Sequence, residues 1–176
     1  MFSTKTNVPG PTPEPVVNPP VSVTQSEPQA IVSGDAGLAL VKHFEGCRLT
    51  AYQDSIGVWT IGWGHTQGVY QGMTITQAQA DQWLGVEYAQ FEGKIKNLLK
   101  VSVTQNQLGA LTCFAYNVGI GNLSSSTLLS LLNSGAPAPA VAAQFSRWNM
   151  AGGKVLPGLT NRRAAEANLF LTPDPS

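Results

Sequence analysis

Apolar residues fall at helical spacing first at Leu38, Val41 and Phe44, where Asp35 is placed to cap a helix and Gly46 to stop it. The pattern then shortens. Two β-prone runs, Leu49 to Gln53 and Val58 to Trp63, flank Asp54, Ser55, Ile56 and Gly57, which predicts a β-hairpin. Thr76 is placed to cap a helix running through Trp83 and Phe91, with Leu98 and Leu99 on its continuation or on a second short helix. Further helical patterns cover about 105–116, 125–133, 138–147 and 159–171. The expected class is α+β, with a small hairpin or sheet lobe beside a mainly helical lobe.

Composition divides the 176 residues. Seven of the twelve prolines lie in residues 1–34, with few large apolar side chains, which predicts a disordered or polyproline-like extension serving as a spacer or a docking segment. Residues 35–172 then form one domain, followed by a short tail, 173–176. With 43% apolar residues the chain supplies one packed core and no second full domain. Ten basic and ten acidic residues cancel, so net charge points neither to nucleic acid nor to an anionic surface. From Lys94 to Thr172, however, seven basic residues face Glu166 alone, 7 − 1 = +6. That excess suits a polyanionic wall, or is a solvated helix surface. Arg163 and Glu166 are read as such surface charges, able to pair at one-turn spacing.

Cys47 and Cys113 are too few for a disulfide framework and lack metal-site spacing; reduced thiols are the default, and one bridge between them stays open. No run of about 18 apolar residues is present to span a bilayer. Nor is there a basic start leading into an apolar stretch, so no secretory signal is expected. No metal cluster, phosphate-cradling loop or dinucleotide fingerprint occurs, so no cofactor is expected.

Hydrolysis of a glycosidic bond needs one acid to protonate the leaving oxygen and a second group to handle water or developing positive charge. Glu45 and Asp54 are nine positions apart, one at a helix end and one in the following hairpin turn. A hairpin folding back over that helix places both at one cleft. The negative end of the helix and the adjacent Phe44 favour the protonated, proton-donating form of Glu45. Taken singly, each residue also suits a bland place: Glu45 a surface helix end, Asp54 a turn, Thr60 a strand.

The joint pattern Glu45, Asp54, Thr60, then Ile61 to His65, within FEGCRLTAYQDSIGVWTIGWGHT, resembles the phage-type lysozyme (endolysin) family, which includes phage T4 lysozyme and the lambdoid endolysins. FAYNVGIGNL (114–123), SSTLLSLLN (125–133) and RWNMAGGKVLPGLTNRRAAE (147–166) extend the resemblance over about residues 35–171. It implies a lysozyme-like fold with the active-site cleft between its two lobes. It also implies a muramidase that cleaves the β-1,4 bond between N-acetylmuramic acid and N-acetylglucosamine in peptidoglycan, with inversion, leading to host lysis.

Carried over by position, Glu45 is the general acid, and Asp54 and Thr60 hold and activate water. Tyr52, Asn117 and Arg162 are substrate-binding, and no metal takes part. Tyr52 equally suits core packing. His65 is read as a structural hydrogen-bonding or ion-pairing residue, and Trp148 as core rather than sugar platform. Gly62 and Gly64 either open the backbone to a sugar chain or make a bend. The implied partner is the glycan strand, met by a monomer without membrane insertion. The enzyme is then made in the host cytoplasm and reaches the wall through a pore-forming release protein, or is carried on the virion. A wall-binding module without activity, a lytic transglycosylase and a chitinase are the rival readings.

Overall fold

The computed structural model describes residues 36–54 and 56–175. Asp35, expected as a helix cap, and the proline-rich extension lie outside the described residues. The first helix, α1 (Ala36–Glu45), ends where Gly46 takes a φ of +65°, a conformation glycine adopts without strain. Glu45 is its last residue, as expected. Strands β1 (Arg48–Gln53) and β2 (Trp59–Gly62) pair antiparallel, with Tyr52 opposite Thr60 and Gln53 opposite Trp59. The other edge of β1 is also covered. Ala51 N donates to Met73 O and Ile75 N to Leu49 O, both at 2.9 Å, so β1 is the middle of the lobe.

Helix α2 (Gln77–Leu98) is one continuous element. Thr76 caps it as expected, in a reciprocal box with Gln79. Helix α3 (Gln105–Val118) starts with the same device, Thr104 with Gln107, and stops at Gly119, whose φ is +89°. The chain continues through α4 (Ile120–Ser124), α5 (Thr127–Asn133) and α6 (Ala138–Ala142). A 3-10 turn (Phe145–Trp148), a small hairpin of β3 (Met150–Ala151) and β4 (Lys154–Val155), and α7 (Pro157–Leu171) complete it.

The helix expected over 138–147 is therefore two pieces, with the second wound tightly so that Phe145 enters the core between Phe114 and Phe170. Pro157 opens α7 two residues before the expected start, at the position where its missing N–H matters least. Helix α4 and the β3–β4 hairpin were not expected. They are too short to display a period.

Helix α3 is the hub. Its run from Leu108 to Ala115 is buried, and it packs against α1, α2 and α7. One core cluster joins Ile95, Leu111, Phe114, Leu123, Leu128, Val141, Phe145 and Phe170. A second joins Leu38, Val41, Leu84, Tyr88 and Cys113 beneath α1. Each fully buried large apolar side chain contributes about 1.5–3 kcal/mol, so these clusters dominate the stability of the helical lobe.

Where α1 crosses α3, Gly37 faces Gly109. A Cβ at Gly37 would run into the Tyr88 hydroxyl and the Gly109 backbone, with Gly109 O at 2.6 Å. The C-terminal segment is also tied in. Asp174 accepts from Gln105 N and Asn106 N at 2.8 Å each, and Asn106 Nδ2 donates to Pro173 O at 2.9 Å. Packing thus runs past Thr172 into the segment expected to be a tail.

Two outcomes follow from these contacts. Gly37→Ala gains about 1 kcal/mol of helix propensity but overpacks a backbone contact at about 1–3 kcal/mol or more; thermal unfolding is expected to show a net loss of stability. The two backbone donors hold Asp174 below the usual carboxylate range, Asn106 first and Gln105 next. A depressed carboxylate gives stability above its unfolded value that is lost as pH falls through the folded one. Wild type should therefore melt above Asp174→Asn at pH 7 and approach it in the acid range; a constant gap would contradict this.

Candidate active site

The site is built on the junction of α1, the β1–β2 hairpin, α3 and α7. Half-buried Glu45 closes α1, and its Oε1 accepts from Arg162 Nη1 at 2.7 Å. The sequence expectation for Glu45, built on the helix end and Phe44, left out this opposite charge. Phe44 is nearby all the same, its ring centre 5.5 Å from the Arg162 guanidinium carbon. Gly64, at φ +102°, leaves room on the other side of the acid: a Cβ there would lie 3.6 Å from Glu45 Oε2. Gly62 has a φ of +63°, so both glycines make the bend.

The β1–β2 register puts Tyr52, Asp54 and Thr60 on one face, because residues opposite each other or two apart share a face. Asp54 Oδ1 accepts from Ile56 N at 3.0 Å and Val58 N at 2.8 Å, which fixes the turn. Oδ2 accepts no hydrogen bond among the described residues. Thr60 is buried, with Oγ1 donating to Val58 O at 3.1 Å. Asp54 thus serves its turn through Oδ1. Tyr52 is half-buried beneath Arg48, whose guanidinium carbon is 4.3 Å from the ring centre.

One expectation for α7 is corrected: Arg163 and Glu166 are not surface charges; they are 1% and 0% exposed. Arg162, expected to bind the glycan, is 4% exposed, and each of its guanidinium nitrogens has a protein partner. Nε donates to Glu166 Oε1 at 3.2 Å, Nη1 to Glu45, and Nη2 to Cys113 O at 3.1 Å. Arg163 Nη2 donates to Glu166 Oε1 at 3.1 Å and to Asn117 Oδ1 at 2.9 Å, while its Nε lies 2.9 Å from Glu166 Oε2. Its guanidinium carbon sits 4.8 Å from the centre of the Phe114 ring.

These residues lay hidden because i, i+3 and i+4 charges look alike on a wet face and in a dry junction. Burial pushes the Glu166 carboxyl up, against the pull of Arg163 and Arg162. Burial first, and the Glu166 charge next, push the Cys113 thiol up, and Cys113 Sγ donates to Glu166 Oε1 at 3.3 Å. Cys47 and Cys113 are both free thiols. With Arg162 and Arg163 buried, the basic side chains left on the surface between Lys94 and Thr172 are Lys94, Lys96, Lys100, Arg147 and Lys154.

Exposed Asn117 stands near the end of α3 with its carbonyl oxygen held by Arg163. His65 pairs with Glu87 through Nδ1, and its Nε2 lies 2.8 Å from Gln67 O. Tyr116 Oη donates to Glu87 Oε2 at 2.9 Å and lies 3.2 Å from Trp63 O. Trp63 Nε1 donates to Asp81 Oδ1 at 3.0 Å, and Lys42 Nζ reaches the same oxygen at 2.8 Å. These contacts fasten the hairpin lobe to α1, α2 and α3. The Lys42 hydrogen bond, with smaller help from Gln77 and Trp63, holds Asp81 below the usual carboxylate range against the opposing effect of burial. Trp148 packs edge-on against Phe114 in the core, with ring centres 5.5 Å apart.

Concavities of about 390 Å³, between α6 and α7, and about 540 Å³, around Lys96–Leu108, touch none of Glu45, Asp54 and Thr60. Among the described residues there is no group of three or more His, Cys, Asp or Glu suited to a metal, and no helix long and apolar enough to cross a membrane.

The chain was then compared with known proteins. It is 49% identical over 138 residues to an endolysin of Bacillus phage PZA, covering 77% of this chain and 53% of that protein. It is 43% identical over 140 residues to an endolysin of Acyrthosiphon pisum secondary endosymbiont phage 1, covering 77% and 95%. The chain thus spans about half the length of the Bacillus phage relatives and nearly all of the other. The solved muramidase domain of SpmX from Asticaccaulis excentricus superposes with a TM-score of 0.74 at 37% identity, covering 80% of this chain and 97% of that one. That likeness identifies the two-lobed architecture as lysozyme-like. The family described as phage lysozyme matches residues 42–166, which hold Glu45, the whole hairpin and Glu166, and the chain belongs to that family.

Proposed function

We propose that the protein is an endolysin that hydrolyses the β-1,4 bond between N-acetylmuramic acid and N-acetylglucosamine in peptidoglycan, with inversion at the anomeric carbon. One observation carries this reading. Glu45, half-buried at the end of α1, is held by an arginine from α7 and lies against Gly64, which follows a hairpin whose register puts Asp54 and Thr60 on one face.

Glu45 donates its proton to the leaving glycosidic oxygen. Asp54 Oδ2 accepts from the attacking water and Thr60 Oγ1 helps to orient it, so that no covalent bond to Asp54 forms. Arg162, buried among its partners, contacts the acid in place of the sugar. Asn117, with its oxygen engaged, offers Nδ2 to the glycan, and Tyr52 lies on the hairpin face that meets it. No cofactor enters the scheme. The partner is the glycan strand, reached on the wall side of the membrane, and lysis of the host cell is the outcome.

Purified peptidoglycan and permeabilised cells provide the test. Glu45→Gln should lose at least about a hundredfold in rate, the low end of what a general acid contributes, while its melting curve stays cooperative. Asp54→Asn should also lose rate. Equal clearing by wild type and Glu45→Gln would leave only a wall-binding module. A strong chelator should not slow hydrolysis of purified peptidoglycan; abolition would overturn the metal-free scheme.

A further inference from the structure

Helix α7 carries an arrangement that the scheme above does not use. Glu166, 0% exposed, takes both neighbouring arginines on one carboxylate: Arg162 Nε at 3.2 Å, Arg163 Nη2 at 3.1 Å and Arg163 Nε at 2.9 Å. The two guanidinium groups then diverge. Arg162 reaches Glu45 on α1, and Arg163 reaches Asn117 on α3. Adjacent residues on a helix point about 100° apart, so only a common anchor one turn further on can restrain both heads together. Among the described residues neither Nε nor Nη1 of Arg163 makes a hydrogen bond, although Nε lies at ion-pair distance from Glu166, so this head is held by the two hydrogen bonds of Nη2, the Glu166 charge and the Phe114 ring.

We propose that Glu166 and Arg163 are positioning residues of the cleft. Glu166 fixes the two guanidinium groups, so that one is aimed at the proton donor and the other locks the Asn117 amide with Nδ2 turned toward the glycan. This rests on Glu45 being the proton donor. Flipping the amide would set the Nδ2 donor against the Arg163 Nη2 donor and lose that hydrogen bond, so the group left facing outward is the donor. The charge around Glu45 also depends on Glu166. Arg162, Arg163 and Glu166 of α7 sum to +1. Tyr116 of α3 also faces Glu45, with Cys113 beside Arg162 and Glu166, and Glu87 of α2 and His65 behind Tyr116; His43, Lys42 and Cys47 are the titratable neighbours of Glu45 along the chain. Removing the Glu166 charge changes +1 to +2.

The test measures kcat, KM and the pH profile on purified glycan strands for wild type, Glu45→Gln, Glu166→Gln, Glu166→Asp and Arg163→Lys, with melting curves alongside. Glu166→Gln should lower kcat by about tenfold or more, the size of one charge-assisted hydrogen bond. Its high-pH limb should move to lower pH, because added positive charge favours loss of the donor proton; a residue needed only for folding would not move that limb. Glu166→Asp keeps the charge and shortens the reach, so its kcat should fall with the limb in place, and it stands in if the Gln variant does not fold. Arg163→Lys should raise KM more than it lowers kcat. Folded Glu166 variants with wild-type kcat and an unmoved limb would overturn the inference alone. An active Glu45→Gln would overturn the reading beneath it as well.

Discussion

Two arginines and a glutamate of one helix, buried where three helices meet, set the geometry on which the cleft depends. Taking charges out of water costs several kcal/mol each, and the cost is offset only where pairing is close to complete. Here Glu166 contacts Arg162, Arg163 and Cys113, while Arg162 goes on to Glu45 and the backbone of α3. Removing one partner from such a set typically costs about 3–5 kcal/mol, because a charge is left buried alone. The pairing of these charges favours the observed rotation of α7 against α3, which delivers Arg162 to the end of α1.

The hairpin lobe is held by different means. It has little core of its own: β1 is mostly exposed, and Ile56 at its turn is 83% exposed. Its position comes from side chains reaching back to the helices, through His65 with Glu87, Tyr116 with the Trp63 carbonyl, and Trp63 with Asp81 and Lys42. A rigid helical lobe thus carries the acid and its arginine. A separately fastened hairpin carries Asp54 and Thr60, the pair proposed to handle water.

Much of this was legible in the chain. Asp54 and Gly57 marked the hairpin turn, Gly46 the end of α1 and Thr76 the start of α2, because caps and turns are local chemistry. The joint spacing of Glu45, Asp54 and Thr60 located the candidate site. What the sequence hid was which charges are wet. Arg163 and Glu166 have the spacing of an ordinary surface pair, and nothing local distinguishes a solvated face from one sealed by Phe114 and α3. Nor did the sequence show that Arg162 is buried, with Glu45, Glu166 and Cys113 as its partners. The β3–β4 hairpin was missed for another reason: two-residue strands have no period.

The central claim is that water, held by the hairpin, attacks as Glu45 gives up its proton. Cleavage of purified peptidoglycan in water enriched in oxygen-18, with mass spectrometry of the released muropeptides, reads this directly. The account predicts one heavy oxygen at each new reducing end. Release of 1,6-anhydro ends without the label would contradict it, for the sugar's own hydroxyl would then have taken the place assigned to the water of Asp54 and Thr60.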